Sequence, residues 1–437
     1  MYFSLRILGW GSLIAASSAV PTALHDFDAR APEATSTPIP PSLDPFYTAP
    51  RGFKNAAPGA VLNIRAAPGN LTTIFNASSE AYNILYRTTD SHYQPAWAVT
   101  TLFVPLKPPH NASNALLSYQ VPYNTVDVDA SPSFLAYAGA EALGLQFSDI
   151  NTALNHGWFV NVPDFEGPLA SFGASVSEGH ATLDSVRAAL SSHKSLDSSS
   201  RYAMWGYSGG SVASEFAAEL QVQYAPELNF AGMAIGGLVP NFTSNFDKIN
   251  NTPAAGLLVA ILLGVSTQYP DTSHYLDSRL KTRGQYNATG FFEARNLSAF
   301  ELFPTYADQD IFADYFAAGT TVQAPAIQKA IDREGLMGYH GVPQMPIFLY
   351  KATQDGYSAV ADTDALVDRL CLGGANILYQ RNTVGYHLDE SYNGDARALN
   401  WLTLVLQGNY SAAYPTVGCT VQNVTVNITV TEPFGIP

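Results

Sequence analysis

The sequence predicts an α/β fold, in which a mostly parallel sheet carries helices on both faces and a helical cap is inserted between two strands. Short apolar runs bounded by turn residues alternate with segments whose apolar residues recur at helical spacing. This alternation is typical of parallel sheets, because each crossover between parallel strands usually contains a helix. The alternation stops between residues 241 and 336 and then resumes, which predicts the insertion.

Length and composition set the class of protein. A chain of 437 residues, of which 47% are hydrophobic, can bury a large core and forms either one domain with an insertion or two domains. The net charge of -15 leaves no basic surface to neutralise phosphates, which argues against a nucleic-acid partner. An uncharged substrate is compatible with this charge. The sequence carries no signal for an oligomeric state.

The first residues are typical of a secretory signal peptide. Arg6 precedes a short apolar run at residues 7–16, and small residues follow up to Ala19. The run is too short to span a membrane, so we expect residues 1–19 to be removed on secretion and the protein to be extracellular. Residues 20–44, rich in Pro, Ala, Ser and Thr, predict an extended arm or pro-segment.

Glycosylation and a disulfide would agree with secretion. Ten Asn-x-Ser/Thr sequons are candidate N-glycosylation sites: Asn70, Asn76, Asn111, Asn241, Asn250, Asn287, Asn296, Asn409, Asn423 and Asn427. The two cysteines, Cys371 and Cys419, are expected to form one disulfide in an oxidising compartment, and two buried free thiols are the alternative. Two cysteines without nearby histidines do not make a zinc site.

The elements of the core follow in chain order. Strands are predicted at residues 82–86, 96–105, 115–121, 158–162, 201–205, 346–350 and 376–379, and helices at 181–190, 209–224 and 395–406. The core therefore spans residues 45–240 and 337–407, with the cap at 241–336 and a C-terminal tail at 408–437. Within the cap, the apolar run at residues 254–265 either contacts a lipid surface or acyl chains, or is a buried helix.

Ser208 lies in a Gly-x-Ser-x-Gly motif between a predicted strand and a predicted helix. In a nucleophile elbow the serine occupies a sharp, strained turn, and neighbours two residues away approach too closely for side chains. Gly206 and Gly210 satisfy that requirement because they lack Cβ. The backbone N–H of Gly209 would then face a developing oxyanion. A simple glycine-rich turn is the alternative interpretation.

A serine nucleophile needs a base, and that base needs an acid partner. In this kind of site the order along the chain is serine, acid, histidine. The candidate bases are therefore the histidines that follow Ser208, which are His274, His340 and His387. We favour His387, which follows the last predicted strand, because His274 lies in the cap and His340 precedes a strand. The favoured acid is Asp355, in a turn after the strand at 346–350. Asp362 and Asp364 are the rivals, although they resemble the first turn of a helix.

These residues, taken in order, resemble the fungal secretory lipases of the lipase A type. The similar segments run from about Asp44 to Cys419 and are "DPFYTAP" (44–50), "YRTTD" (86–90), "SYQV" (118–121), "DFEG" (164–167), "GYSGG" (206–210), "YAPELN" (224–229), Asp355, "GANI" (374–377) and His387-Leu388. The resemblance implies an α/β-hydrolase fold with a helical cap. It also implies Ser208, Asp355 and His387 as the catalytic triad, and an oxyanion hole formed by Gly209 and Asn124. Asn124 stands where that family usually has aspartate.

The function expected from the sequence is that of a secreted serine ester hydrolase, above all a triacylglycerol lipase whose cap contacts lipid. An esterase of small esters, such as acetylated secondary metabolites, is the main alternative. A catalytically inactive binding protein of the same fold is a weaker alternative, since both serine and histidine stand in suitable context. A serine peptidase is a further alternative, set below the ester hydrolase by the resemblance alone. No cofactor or metal is expected, because no His-Glu-x-x-His motif or His/Asp cluster at ligand spacing occurs.

Overall fold

The computed structural model describes residues 36–107, 114–196 and 198–428. The predicted signal peptide at 1–19, the start of the arm and Asn111 therefore lie outside the described residues. Ten strands form one sheet within the described part: β1 (Val61–Ala66), β2 (Ser78–Thr89), β3 (Pro95–Pro105), β4 (Ala115–Gln120), β5 (Phe159–Pro163), β6 (Arg201–Tyr207), β7 (Gly232–Gly236), β8 (Ile347–Ala352), β9 (Ile377–Asn382) and β10 (Cys419–Val424).

Sixteen α-helices occur in the same described ranges, several of them a single turn long. They are α1 (Leu71–Ile74), α2 (Pro132–Leu135), α3 (Ala140–Leu143), α4 (Leu145–Asn155), α5 (Ser175–Leu190), α6 (Gly209–Tyr224), α7 (Phe242–Ile249), α8 (Ala255–Ser266), α9 (Pro270–Arg279), α10 (Ala288–Phe292), α11 (Ala299–Tyr306), α12 (Ile311–Tyr315), α13 (Pro325–Glu334), α14 (Val360–Leu372), α15 (His387–Leu406) and α16 (Tyr410–Ala413).

The sheet has the order β1-β2-β3-β5-β4-β6-β7-β8-β9-β10. The first three neighbouring pairs, β1-β2, β2-β3 and β3-β5, are antiparallel. All the remaining neighbouring pairs in this order are parallel. Every residue of β4, β5, β7 and β8 is buried, as expected for strands that helices cover on both sides. The prediction of a mostly parallel α/β sheet is confirmed.

Two consecutive residues of β6 show that helices cover both faces, because neighbouring strand residues point to opposite sides. The Trp205 indole donates a hydrogen bond to the Tyr350 hydroxyl over 3.1 Å, and the Tyr350 ring packs against Gly394 of α15. Gly206 faces α6 instead, where a Cβ would lie 2.3 Å from the carbonyl oxygen of Gly210. The sheet is thus enclosed between α6 and α15 at the position of the elbow.

The chain between β7 and β8 contains helices α7 to α13, and residues 241–336 are the segment where the sequence predicted a helical cap. An isolated antiparallel bridge joins Asn241 to Leu336, so the two ends of this segment lie side by side. Every residue of α8 is buried, which favours the buried-helix interpretation of the apolar run over direct contact with lipid. Within the described residues, none of the helices is both long and apolar enough to cross a membrane.

Several elements differ from the sequence-based expectation. Among the strands, β1 and β7 were not predicted, and β10 lies in the segment that was expected to be only a tail. The last helix was expected from residue 395, whereas α15 already begins at His387. The side chain of Asp389 accepts the backbone N–H of Tyr386 over 2.9 Å and so caps the extra turns. His387 is therefore the first residue of a helix rather than part of a loop.

A disulfide joins Cys371, at the end of α14, to Cys419, the first residue of β10. The two Cα atoms are 6.0 Å apart. This bond attaches the outermost strand to the helix that precedes β9, and it matches the pairing expected from the sequence.

Candidate active site

Ser208 occupies the turn between β6 and α6 in a strained backbone conformation. Its φ and ψ angles are 51° and -123°, a region that residues with a Cβ rarely adopt. The backbone holds it there, because the Ser208 N–H donates to the Gly236 carbonyl over 2.9 Å and its own carbonyl accepts from Ser211 over 2.9 Å. The turn places the side chain of Ser208 at the carboxyl end of the parallel strands.

Gly206 and Gly210 must be glycines because backbone atoms of neighbouring elements approach them closely. A Cβ on Gly206 would lie 2.3 Å from the Gly210 carbonyl oxygen, and one on Gly210 would lie 1.9 Å from the carbonyl oxygen of Gln120. Both contacts are to backbone atoms, which have little room to move. The sequence motif therefore reflects a tight packing of β6, α6 and β4 around the serine.

The three residues predicted as a triad form one hydrogen-bonded chain. His387 Nε2 lies 2.9 Å from Ser208 Oγ, and His387 Nδ1 lies 2.8 Å from Asp355 Oδ2. These distances fit an imidazole that donates from Nδ1 to the carboxylate and accepts the serine proton at Nε2. His387 and Asp355 are buried, whereas Ser208 is partly exposed. Such a chain can transfer the serine proton to the imidazole.

The carboxyl group of Asp355 is surrounded by hydrogen-bond donors. Its Oδ1 accepts the backbone N–H groups of Tyr357 and Ser358, each over 2.9 Å. Its Oδ2 accepts both His387 Nδ1 and Lys351 Nζ, the latter over 2.9 Å. Burial alone would raise the pKa of Asp355, but the charges and hydrogen bonds of His387 and Lys351 hold that pKa below its ordinary value. Asp355 is therefore ionised at neutral pH.

Two tyrosines hold the imidazole in place. The ring of Tyr357 stacks on the His387 ring with the centroids 4.6 Å apart, and the hydroxyl of Tyr207 donates to the His387 carbonyl oxygen. Neither tyrosine was singled out in the sequence, although Tyr207 is one of the two variable residues of the Gly-x-Ser-x-Gly motif and Tyr357 follows Asp355 by two positions. Lys351 was also missed, because a lysine at the end of an apolar strand usually marks the surface.

The other candidate acids and bases lie elsewhere. His274 is exposed on α9, and the His340 ring packs against Phe216. Asp362 is in the first turn of α14, and Asp364 is bonded to Arg381 at 3.4 Å. The structure brings none of these four into the chain of Ser208, His387 and Asp355. In the part of the protein that the structure describes, no three His, Cys, Asp or Glu side chains are grouped as a metal site would require.

The two predicted oxyanion residues lie next to each other. Asn124, four residues beyond β4, has a φ of 42°, and its Oδ1 would be only 2.0 Å from a Cβ on Gly209. This Oδ1 is buried without a hydrogen-bond partner among the described residues. The hydroxyl of the next residue, Thr125, donates to the carbonyl of Leu297 in the cap over 2.7 Å. The loop after β4 thus contacts both the elbow and the cap.

The elbow serine, the buried histidine and aspartate, and the position of all three at the carboxyl ends of parallel strands define the class of α/β-hydrolases. The family model of secretory lipases matches residues 138–413, more than half of the chain. The protein belongs to this secretory lipase family. It is accordingly a carboxylic ester hydrolase, and the family and its secreted members indicate an extracellular location.

Similar proteins include both esterases and lipases. The chain is 47% identical over 415 residues to a trichothecene C-3 esterase of Fusarium sporotrichioides, with 92% of each chain covered. It is 35% identical over 398 residues to lipase A of Arthroderma benhamiae, covering 86% of this chain and 82% of that one. The crystal structure of Candida antarctica lipase A in its closed state superposes with a TM-score of 0.80 at 28% identity, covering 90% of this chain and 91% of the other.

Proposed function

We propose that the protein hydrolyses esters through an acyl-enzyme on Ser208, with His387 as general base and Asp355 as its acid partner. His387 Nε2 accepts the proton of Ser208 as Oγ attacks the ester carbonyl carbon. The same proton then passes to the departing alcohol, and the acyl group remains on Ser208. Water, deprotonated by His387, attacks the acyl-enzyme and releases the carboxylic acid. The observation that supports this proposal is the hydrogen-bonded chain from Ser208 through His387 to Asp355.

The substrate that we propose is a small-molecule ester of the trichothecene class. The support is the 47% identity to the trichothecene C-3 esterase over 92% of both chains, compared with 35% to lipase A. This corresponds to the alternative drawn from the sequence, an esterase of acetylated secondary metabolites. The triad would be the same in an esterase and a lipase, since only the shape of the substrate pocket differs.

A triacylglycerol lipase is the second candidate, favoured by the secretory lipase family and by the similarity to two lipases. In that case the cap would meet the lipid surface. α8 is buried and does not provide such a surface, but Phe300 on α11 of the cap is 52% exposed. An apolar side chain in that position can insert among acyl chains.

Hydrolysis of esters of graded chain length separates the two candidates. We expect the secreted protein to release p-nitrophenol from the C2 ester faster than from the C8 and C16 esters, and to deacetylate a dissolved acetylated trichothecene. A preference for C8 to C16, together with activity on a triacylglycerol emulsion, would favour the lipase. The Ser208→Ala variant, prepared in parallel, shows how much of the signal depends on the nucleophile. No serine-dependent hydrolysis of any of these esters would contradict the proposed function.

We also propose that the backbone N–H groups of Gly209 and Asn124 form the oxyanion hole, which predicts a marked effect of Gly209→Ala. The new Cβ would displace the Asn124 side chain, whose Oδ1 would be 2.0 Å away, and would move its loop with it. We expect kcat to fall by about 10²-fold with little change in KM, since one donor to the oxyanion is misplaced. Steady-state kinetics on the C2 ester measure this.

The double variant Gly209→Ala/Asn124→Ala is the control for that interpretation. Removing the Asn124 side chain restores the space that the new Cβ needs, so we expect kcat to recover in part. A double variant slower than the product of the two single effects would contradict the steric explanation.

We infer further that residues 1–19 direct secretion and that the exposed sequons carry glycans. Exposure supports Asn70, Asn76, Asn296, Asn409, Asn423 and Asn427, whose side chains face solvent. Asn241, Asn250 and Asn287 are weaker candidates, because each is partly buried and its Oδ1 accepts backbone N–H groups. In Asn250 the nitrogen that would carry a glycan also donates to Asp310 over 3.0 Å.

A further inference from the structure

Lys351 is a buried cation next to the triad. It lies in β8, and its side chain is fully excluded from solvent. Its Nζ donates to the carbonyl oxygen of Leu238 over 2.7 Å and to Asp355 Oδ2 over 2.9 Å. A lysine in such a place costs much free energy of burial unless it is paired. The structure thus pairs it with the same carboxylate that binds His387.

The geometry makes the carboxylate a shared acceptor. Oδ1 of Asp355 is occupied by two backbone N–H groups, so Lys351 and His387 both bind Oδ2. With four donors, an ionised carboxylate has its lone pairs filled. Asp355 can therefore neither rotate nor take up a proton without losing a bond. The ammonium group of Lys351 and the imidazole of His387 therefore contact the same oxygen, Oδ2 of Asp355.

We propose that Lys351 is a positioning residue that sets the acidic limit of the pH range in which His387 acts as a base. A fixed cation opposes the arrival of a second positive charge on a nearby imidazole. Without Lys351, Oδ2 of Asp355 would bind His387 alone. This role is distinct from contact with the substrate, and it rests on the proposed function of the triad.

The other groups that face His387 do not supply this charge. The Ser208 hydroxyl contacts Nε2, and the Tyr207 and Tyr357 rings pack against the imidazole. Asp389 and Glu390 share the first turn of α15 with His387, where Asp389 accepts the Tyr386 N–H and Glu390 is bonded to Arg397 and to Asn382. Asp389 and Glu390 are acidic and supply no positive charge. Glu390 is moreover paired with its own cation. Lys351 is the positive group that acts through Asp355.

The test compares the pH dependence of kcat/KM in the protein and in its neutral variants Lys351→Met and Lys351→Gln. In both neutral variants we expect the acid limb of the kcat/KM profile to shift to higher pH by about one unit. At pH values below the limb, kcat/KM of these variants should therefore be about tenfold lower than that of the unaltered protein. On the plateau kcat and KM should change little. The variant Lys351→Arg, which keeps the charge, should restore the original limb. Lys248→Met, which removes an exposed lysine on α7, is the matched control and should change nothing.

Each result has one meaning. An unchanged acid limb in a folded neutral variant overturns the proposal, as does a loss of kcat that is equal at every pH, because a structural role would give that. If neither neutral variant folds while Lys351→Arg does, the charge serves the fold and the proposal is also overturned. Absence of ester hydrolysis in the unaltered protein would instead refute the proposed function. Melting temperatures and titration of active serines with a fluorophosphonate separate these cases.

Discussion

Ser208→Ala is expected to lower kcat for ester hydrolysis by about 10⁴-fold or more, because the alanine side chain cannot form the acyl-enzyme. The fold should be unaffected, since the bonds that hold the elbow come from the backbone N–H and carbonyl of residue 208. The residual rate reflects binding and the oxyanion hole alone. The measurement is kcat on the C2 ester, together with loss of labelling by a fluorophosphonate and an unchanged melting temperature.

Ser211→Ala provides a matched control three residues along α6. The Ser211 hydroxyl donates only to the Ser208 carbonyl over 2.6 Å and is not part of the triad. We expect this variant to lose about 1 kcal/mol of stability and to keep most of its activity. A Ser208→Ala protein that retained a tenth of the original kcat would show that another nucleophile carries the reaction.

Unfolding should become easier as pH rises from 4 towards 8, because the core contains carboxyl groups without cationic partners. Burial, together with the nearby charge of Glu334, raises the pKa of Glu178 to about 8. In the unfolded chain a glutamate has a pKa of about 4.3. The folded state thus keeps a proton that the unfolded state has released. By linkage this stabilisation is complete below pH 4 and is lost as pH rises through 8.

The variant Glu178→Gln isolates this contribution. Glutamine keeps an oxygen to accept the Gly173 N–H, which Glu178 binds over 2.7 Å, but carries no proton to lose. Each pH unit is worth about 1.4 kcal/mol, so the fall of unfolding free energy between pH 5 and 8 should be smaller by roughly 4 kcal/mol in the variant. Denaturant titrations at several pH values measure it. Glu141→Gln, at an exposed position of α3, is the matched control and should leave the slope unchanged. A slope in Glu178→Gln equal to that of the unaltered protein would contradict the assignment.

The elbow was predictable because its physics is local. The β6–Ser208–α6 turn needs glycines at fixed offsets, and the sequence displays them at Gly206 and Gly210. His387 and Asp355 could be proposed from their order and from the strands before them, since parallel strands bring their carboxyl ends to one edge. Their distances from Ser208 needed the structure.

The missed features depend on distant contacts or on local contacts of an unusual kind. β10 is a mostly exposed edge strand, and its apolar pattern is weak because only one side is paired, with β9. α15 begins at His387, before the predicted start, because the Asp389 side chain accepts the backbone N–H of Tyr386 and caps the helix. The sequence did not indicate this start because tyrosine is not a usual N-cap residue. Lys351 is excluded from solvent because Leu238, from another strand connection, and Asp355 converge on its Nζ. The pairing of β10 with β9 and the bond from Lys351 to Leu238 cannot be inferred from neighbouring residues.

The bond between Cys371 and Cys419 has a consequence beyond attaching an edge strand. The 48-residue separation of the two cysteines encloses β9, His387 and α15 in a covalent ring. In the unfolded protein such a ring lowers chain entropy, which corresponds to about 4 kcal/mol in favour of the folded state. The segment that carries His387 is thus the one whose unfolded conformations are most restricted, so reduction of this bond lowers the free energy of unfolding.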